Sequence, residues 1–270
     1  MLTTMDNIEF NLDQYFKRIG YNGTTNISLD TLRAIHHAQL YTIPFENFDI
    51  QLGRGINLEP ENIFDKLVKH NRGGYCFELN GLFLLALKSI GFDVRPLLCR
   101  VHVSGTPSGK GHQMELITIE GEQWLADVGF GSNTPRQPLP LKLNQPTIFD
   151  HQEVRLTEAG DYGIMLQAKV KNEWTNLYSF DLSPVFQVDI EYGNHYTSTS
   201  PKAFFTFSRV GAFPIKGGAI TLHNFSLKKT INGHEEIIEL EDNATYLDAL
   251  KKYFGIELDA PYEMLKKVVK

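Results

Sequence analysis

Cys76 is the residue in this sequence whose surroundings are best suited to chemistry. Gly73 and Gly74 precede it, and a strongly apolar, periodic segment follows it, so the pattern places it at the start of a helix. Unpaired backbone N–H groups and the helix dipole at such a start favour a thiolate and lower the pKa of a cysteine. The pattern therefore predicts a nucleophile toward acyl carbons. Cys99 lies in an alternating, strand-like segment instead, and we interpret it as a core residue.

A cysteine nucleophile needs a base, and the base needs an acceptor that orients it. His112 follows a Gly-rich segment, residues 105–111, and directly precedes a predicted strand. Such a loop can bring backbone N–H groups and an imidazole to one point. Asp127 lies between apolar strand residues, where an unpaired carboxylate would be costly, so it is a candidate acceptor, with a turn-capping role as the alternative. His36 and His37 share a predicted helix, and we assign them structural roles.

The distance between His112 and Asp127 tests this pairing. If the two predicted strands that carry them form a simple hairpin, Asp127 lies opposite about Glu115 or Leu116. His112 is then three or four positions away, roughly 10–13 Å along the strand. Direct contact therefore requires a bulge or a curled chain near His112, which the glycines before it permit.

The elements that must position these residues change character along the chain. The first ninety residues show helical periodicity, with helices predicted near residues 12–19, 28–40, 60–68 and from 76 onward. Short strand-like segments separated by turns then predict a small antiparallel barrel or sandwich, at 94–103, 113–119, 123–128, 153–157, 164–170 and 177–180. The remainder mixes strand-like segments at 203–210, 219–227 and 237–240 with helices at 246–254 and after 261. We expect three segments: 1–90, 91–188 and 189–270.

The composition excludes several classes of function. The net charge is −6, so the chain lacks the global basic field of a nucleic-acid-binding protein. The longest apolar stretch, residues 79–87, is far shorter than the ~20 residues that a membrane helix needs. Two cysteines form no disulfide scaffold, and residues 1–10 lack the pattern of a signal peptide. We therefore expect a cytoplasmic protein that binds neither nucleic acid nor membranes.

Five local motifs occur together in this chain, at residues 43–48, 72–80, 105–112, 127–131 and 196–201. With the order Cys, His, Asp, they resemble the arylamine N-acetyltransferases over nearly the full length of the chain. The resemblance implies an α+β multidomain fold with a core like that of cysteine proteases. A helical bundle would carry Cys76, an antiparallel β-barrel would follow, and a C-terminal α/β lid would complete the fold.

The resemblance also implies an activity. In a ping-pong reaction, Cys76 would take the acetyl group from acetyl-coenzyme A (acetyl-CoA), and a small aromatic amine or hydrazine would then receive it. His112 would be the partner of the thiol and Asp127 the group that orients the imidazole. No metal is implied, and the oligomeric state stays open.

Further contacts follow from the same resemblance. The positions that match cofactor contacts are Ser108, Gly109, Lys110, Gly111, Tyr196 and Lys202. Lys202 departs from the Ser or Thr often found at its position; it would add a charge-assisted phosphate contact, or it is an ordinary solvated lysine. Phe45 and Phe130 match aromatic residues that line the arylamine pocket, although core packing is the commoner role of phenylalanine.

Two other classes of function use parts of the same pattern. A thiol hydrolase or transglutaminase-like enzyme shares the order Cys, His, Asp, but would act on peptide amides without coenzyme A. The motifs at 43–48 and 127–131 favour acetyl transfer over this alternative. A non-catalytic protein of the same fold would be expected to lack one of the three residues, and all three are present.

Overall fold

The N-terminal part of the chain is helical, as its apolar periodicity predicts. In the computed structural model, which describes residues 10–268, its helices are α1 (Leu12–Ile19), α2 (Leu29–Leu40), α3 (Phe48–Gln51), α4 (Pro60–Phe64) and α5 (Cys76–Ile90). A short strand, β1 (Phe45–Glu46), precedes α3, and a π-helical turn, Asp65–Lys69, extends α4. The Ser28 hydroxyl caps α2 by accepting the N–H of Thr31 at 3.2 Å. Gly20 ends α1 in the left-handed conformation, with φ 67°.

Helix α5 is the buried centre of this part. Leu82, Phe83 and Leu87 are fully buried, between the other helices and one face of the neighbouring sheet. Burial of each such side chain contributes about 1.5–3 kcal/mol. The first turn of α5 is therefore anchored by a well-packed core rather than by its own helix propensity.

The middle of the chain is an antiparallel, nearly closed β-barrel. Its strands are β2 (Asp93–Val101), β3 (Lys110–Ile119), β4 (Glu122–Ala126), β5 (Leu139–Pro140), β6 (Thr147–Phe149), β7 (Gln152–Glu158), β8 (Ile164–Val170) and β9 (Glu173–Phe180). Their order in the sheet is β5-β4-β3-β2-β9-β8-β7-β6. The predicted turn between β3 and β4 has positive φ at both Glu120 and Gly121, which suits a tight hairpin. An apolar cluster that includes Leu97, Met114 and Leu156 fills the interior.

The C-terminal part combines a second sheet with helices. Its elements are α6 (Gln187–Thr199), α7 (Phe204–Phe207), β10 (Val210–Ile215), β11 (Gly218–His223), β12 (Ser226–Ile231), β13 (His234–Glu239) and α8 (Thr245–Phe254). The sheet order is β1-β10-β11-β12-β13, so β1 joins this sheet by pairing with β10, with Phe45 opposite Ala212. The C-terminal sheet is thus joined, through β10, to the strand β1 that lies just before α3. The limits at 90/91 and 188/189 stay a prediction.

Several local predictions in this part were wrong. The expected strand at 203–210 is mainly the short helix α7, and the expected strand at 219–227 is divided by a turn at Asn224, whose φ is 53°. Helix α6 was missed because its polar face carries aromatic residues such as Tyr192, which is 80% exposed, and these obscure the helical period. After Pro261 there is one 3₁₀ turn, Tyr262–Met264, in place of a helix.

Two predictions also reach the ends of the chain. The interpretation of the first ten residues falls mostly outside the described residues, as does the end of the expected last helix at Lys270. Among residues 10–268, no helix is both long enough and apolar enough to cross a membrane.

Candidate active site

Cys76 is the first residue of α5, as its sequence context predicts. The preceding residue, Tyr75, is extended, and its N–H donates to Oε2 of Glu78 at 3.0 Å. A glutamate at the third helical position thus satisfies a backbone donor that would otherwise be buried without a partner. This contact defines where the helix begins, and so where the thiol lies.

The motif at 72–80 runs alongside the motif at 43–48. The N–H of Gly74 donates to the carbonyl of Pro44 at 3.2 Å, and the N–H of Glu46 donates to the carbonyl of Gly74 at 2.9 Å. Any Cβ on Gly73 would lie 2.3 Å from the Pro44 carbonyl oxygen. Glycine is required at residue 73 because the two backbones approach too closely for a side chain.

A cluster of buried charges lies beneath this double loop. Arg72 contacts Glu46 through Nε at 3.0 Å and Nη2 at 2.7 Å. Lys66 Nζ lies 2.7 Å from Glu78 and 2.6 Å from Asp49. Burial raises the pKa of Glu78, and Lys66 opposes that rise. These pairs hold the chain that enters α5 against the π-helical turn and α3.

The thiol of Cys76 is buried against the beginning of β3. Its side chain is 3% exposed, and Sγ donates to the carbonyl of Gly111 at 3.7 Å. Burial raises the pKa of the thiol, and the Asp127 carboxylate adds to the rise, while the N–H groups of Gln113 and Phe77 lower it. The expected lowering by the helix start is therefore outweighed, because the thiolate loses its solvation there. Formation of the thiolate needs a proton acceptor beside it.

His112 and Asp127, both 2% exposed, form the expected pair, with Nε2 of the imidazole 2.7 Å from Oδ2 of the carboxylate. Glu115 pairs with Ala126 in the hairpin, so Asp127 continues the register opposite Met114. His112 is thus two positions from that point rather than three or four, on the same face of the sheet, where diagonal side chains can meet. A bulge is present one residue before His112, but it interrupts the pairing of β3 with β2 and not the hairpin with β4.

The second oxygen of Asp127 is also fully engaged. Oδ1 accepts Nδ2 of Asn80 at 3.0 Å and the N–H of Gly129 at 2.8 Å. Burial alone would raise the pKa of Asp127, but the interactions with His112, Gly129 and Asn80 lower it below its usual 3.8. Asp127 is therefore an ionised, buried acceptor for the imidazole N–H.

Sequence reasoning missed two polar neighbours of this pair. Asn80 lies one helical turn after Cys76, and a polar residue on the apolar face of α5 is a signal that would have singled it out. Tyr178, on β9, has its ring 5.1 Å from the ring of His112. Burial raises the pKa of its phenol, and the Asp127 carboxylate adds to that rise. A tyrosine in a strand carries no comparable sequence signal.

Aromatic rings flank the imidazole of His112 and the start of α5. Phe130 lies 4.8 Å from the ring of His112. Phe45 is 7% exposed and lies 5.8 Å from Phe205 of α7, which in turn lies 5.9 Å from Tyr75. The two phenylalanines predicted to line a pocket thus belong to separate clusters, one at the imidazole and one beside the start of α5. Phe205 is an aromatic neighbour that the sequence analysis missed.

The Gly-rich segment is shorter than predicted. Strand β3 begins at Lys110, so only residues up to Gly109 form the loop. The hydroxyl of Ser108 accepts the N–H of Val101 at 2.9 Å, which folds the loop back on β2. Lys110 Nζ lies 2.8 Å from Asp181, and this hydrogen bond lowers the pKa of Asp181 to about 2. The lysine is thus already paired with a carboxylate at the protein surface.

Helix α6 brings the other predicted contacts near this loop. Any Cβ on Gly111 would lie 2.9 Å from Oγ1 of Thr197, so α6 packs directly on the first residues of β3. Tyr196, the preceding residue, is 54% exposed, and Lys202 is exposed just beyond the helix. The loop, Tyr196 and Lys202 therefore lie along neighbouring elements.

Comparison with known proteins identifies the family. The model of the N-acetyltransferase family matches residues 28–262. The arylamine N-acetyltransferase of Escherichia coli K12 is 38% identical over 252 residues, which cover 92% of this chain and 89% of the relative. This chain belongs to the arylamine N-acetyltransferase family. The resemblance seen in its motifs is thereby confirmed, and the chain is an enzyme of the acyltransferase class.

Solved arylamine N-acetyltransferases share the fold. The enzyme from Salmonella typhimurium matches with a TM-score of 0.89 at 34% identity, over 96% of this chain and 97% of that one. The Mycobacterium marinum enzyme, solved in complex with CoA, matches with a TM-score of 0.89 at 35% identity, over 95% and 97%. The predicted α+β multidomain architecture of the arylamine N-acetyltransferases is thus confirmed.

Proposed function

We propose that this enzyme transfers an acetyl group from acetyl-CoA to arylamines, hydrazines and related amines by way of an acetyl thioester on Cys76. The main support is that the Cys76 thiol contacts Gly111 and Gln113, the two neighbours of His112 on β3, while the imidazole of His112 pairs with Asp127. The names of the relatives support the acceptor class, and a structural relative binds CoA.

In the first half-reaction, the imidazole of His112 acts as the base. Its Nε2 is held by Asp127, so Nδ1 is the nitrogen left to accept the proton of the Cys76 thiol. The sulfur then attacks the acetyl carbon, the bond to the CoA sulfur breaks, and CoA leaves as a thiol with the proton from the imidazolium. The N–H groups of Phe77 and Gln113 interact with Sγ. We assign them the role of an oxyanion hole, which stabilises the negative charge that develops on the acetyl oxygen.

In the second half-reaction, the neutral nitrogen of the acceptor attacks the acetyl carbon on Cys76. His112 takes the amine proton, the carbon–sulfur bond breaks, and the thiol is restored as the amide leaves. Anilines suit this scheme because their nitrogen is already neutral at pH 7. Phe45 and Phe130, together with Phe205, are the proposed aromatic walls for the acceptor.

The contacts to coenzyme A are part of this proposal. The Gly111 carbonyl contacts the thiol, and Ser108 and Gly109 form the exposed loop that leads to it. Tyr196 and Lys202 lie exposed on and beyond the adjacent helix α6. Lys110 would share its charge between a phosphate and its existing partner Asp181, which directly follows β9. Two further points stay predictions: the reaction needs no metal, and it takes place in the cytoplasm.

Intact-protein mass spectrometry after incubation with acetyl-CoA tests the proposal. We expect one acetyl adduct on the wild type and on Cys99→Ala, whose thiol lies in the barrel core, and none on Cys76→Ala. An aromatic amine should then discharge the adduct. An equal adduct on Cys76→Ala would reject the nucleophile. Discharge by water alone would favour the thiol hydrolase instead.

A further inference from the structure

A second histidine contacts the candidate site from the side of the helical bundle. His36, on α2, is fully buried, and its Nε2 lies 2.8 Å from the backbone carbonyl oxygen of Asp127. We propose that His36 is a positioning residue, which acts through the backbone of Asp127 to aim the carboxylate at His112. The inference rests on the proposed roles of Asp127, His112 and Cys76.

The contact defines the state of the His36 ring. A carbonyl oxygen only accepts hydrogen bonds, so Nε2 must carry the hydrogen and Nδ1 must be bare in the neutral ring. Burial lowers the pKa of His36 to about 4, and Asp127, His37 and Arg136 are the charged or titratable groups that act on it. Nδ1 is buried and has no hydrogen-bond partner among the described residues. A ring needed only for packing would not place an unpaired nitrogen in the core. The Nε2–H donor is the property that distinguishes histidine from phenylalanine at this position.

The backbone at Asp127 needs this support because the hairpin no longer holds it. Pairing between β3 and β4 ends at Ala126, so the next peptide has no partner in the β-ladder. Instead, the peptide from Asp127 to Val128 is held at both ends. His36 donates to its carbonyl, and its N–H donates to Oδ1 of Asn80 at 3.0 Å. The orientation of this peptide limits where the Asp127 side chain can point.

Loss of the His36 donor frees one end of that peptide. The Asp127 carboxylate can then turn away from His112, and the imidazolium that balances the Cys76 thiolate is less stabilised. A smaller fraction of Cys76 is then thiolate at neutral pH. An upward shift of about one pH unit in the thiolate titration slows alkylation at pH 7 about tenfold.

The test is the pH profile of Cys76 alkylation by iodoacetamide, measured on four proteins. We expect His36→Phe to react about tenfold more slowly at pH 7, with its profile moved to higher pH. His36→Gln keeps an N–H donor at a similar reach, and should stay within about twofold of the wild type. His37→Phe is the matched control, because His37 is exposed on the same helix and stacks on Tyr41 instead.

A folded His36→Phe protein with the wild-type profile would overturn the proposal, as would a His36→Gln protein as slow as His36→Phe. If His36→Phe does not fold, nitrogen NMR of the wild-type histidines decides the question. The His36 ring should be neutral with its hydrogen on Nε2 between about pH 6 and pH 8, and a hydrogen on Nδ1 would reject the contact. Alkylation uses neither acetyl-CoA nor amine. A protein that shows the expected profiles but forms no acetyl adduct would contradict the proposed function alone.

Discussion

Asn80 Nδ2 lies 3.0 Å from Oδ1 of Asp127, so the helix that begins with Cys76 also holds the carboxylate at the far end of the proposed triad. The same nitrogen donates to the carbonyl of Gln113 at 2.7 Å, and Oδ1 of Asn80 accepts the N–H of Val128 at 3.0 Å. One side chain therefore joins α5, β3 and the end of β4. Asn80 thus links Asp127 to the helix that begins with Cys76, in addition to the direct contact between Asp127 and His112.

Removal of the Asn80 amide should damage stability and activity together. In Asn80→Ala, the Gln113 carbonyl and the Val128 N–H lose their partner inside the protein, and each such loss costs about 1–3 kcal/mol. We expect a lower free energy of unfolding in urea. We also expect the rate of acetyl-enzyme formation to fall at least about tenfold, because a rise of one unit in the pKa of the Cys76 thiol suffices to reduce the thiolate by that factor. Ser89→Ala, at an exposed position of α5, should match the wild type in both. Equal values for the two variants would show that the joint is unimportant.

The buried charge cluster should be sensitive to the loss of its lysine. Lys66→Met leaves Glu78 and Asp49 without their closest cation, and a broken buried pair typically costs about 3–5 kcal/mol. Urea unfolding should show a loss of that size. Lys69→Met, in the same π-helical turn but in a surface pair with Asp65, should cost less than about 1 kcal/mol.

A second substitution identifies the cause of that loss. Glu78→Gln keeps an acceptor for the Tyr75 N–H but removes the uncompensated charge. The double variant Lys66→Met/Glu78→Gln should therefore be more stable than Lys66→Met alone. If the losses of unfolding free energy in the two single variants simply add in the double variant, the charges at Lys66 and Glu78 do not interact.

Glu115 should make the protein less stable as the pH rises. It is fully buried, Oε1 accepts Gln113 Nε2 at 3.0 Å, and Oε2 has no partner among the described residues. Burial raises its pKa well above the usual 4.5. The unfolded chain therefore releases the proton near pH 4.5, whereas the folded protein keeps it. Above that pH the free energy of unfolding falls, by up to about 1.4 kcal/mol per pH unit, until the folded pKa is reached.

The Glu115→Gln variant removes this pH dependence. Between pH 5 and pH 7 the variant should gain about 1–3 kcal/mol relative to the wild type, as measured by urea unfolding. Glu158→Gln changes an exposed glutamate at the end of β7, and its stability should follow that of the wild type at each pH. A Glu115→Gln curve parallel to the wild-type curve would mean that Glu115 is ionised in the folded protein.

Phe205 should affect the acceptor more than the acetyl donor. Its ring packs on Phe45 and Tyr75 beside the start of α5, so Phe205→Ala opens one wall of the proposed acceptor pocket. We expect the KM for an aromatic amine to rise about tenfold, since loss of one aromatic wall costs 1 kcal/mol or more, with little change in acetyl-enzyme formation. Phe207→Ala, on the same short helix but 54% exposed, is the control. An unchanged amine KM would remove Phe205 from the pocket.

Local patterns in the sequence predicted the helix that begins at Cys76, the helix near residues 28–40, and turns between the short strands of the middle segment. Each depends on residues close together in the chain, and the structure contains all three. The secondary structure of residues 203–210 was less predictable. The backbone carbonyl of Phe205 accepts hydrogen bonds from the side chains of Asn47 and Gln51, which are distant in the sequence. Tertiary hydrogen bonds there outweigh the β propensity of consecutive phenylalanines.

The amino-acid sequence alone determined which residue types are available for chemistry and where each lies on its own element. Cys76 at a helix start, His112 after glycines, and Asp127 among apolar residues are all properties of short segments. The tertiary structure decided how these groups act on one another, because charge and solvation depend on neighbours distant in the chain. Burial makes the Cys76 thiol harder to ionise than its helix position suggests. The support of Asp127 by Asn80 and His36 exists only once α2, α5 and the barrel are packed together.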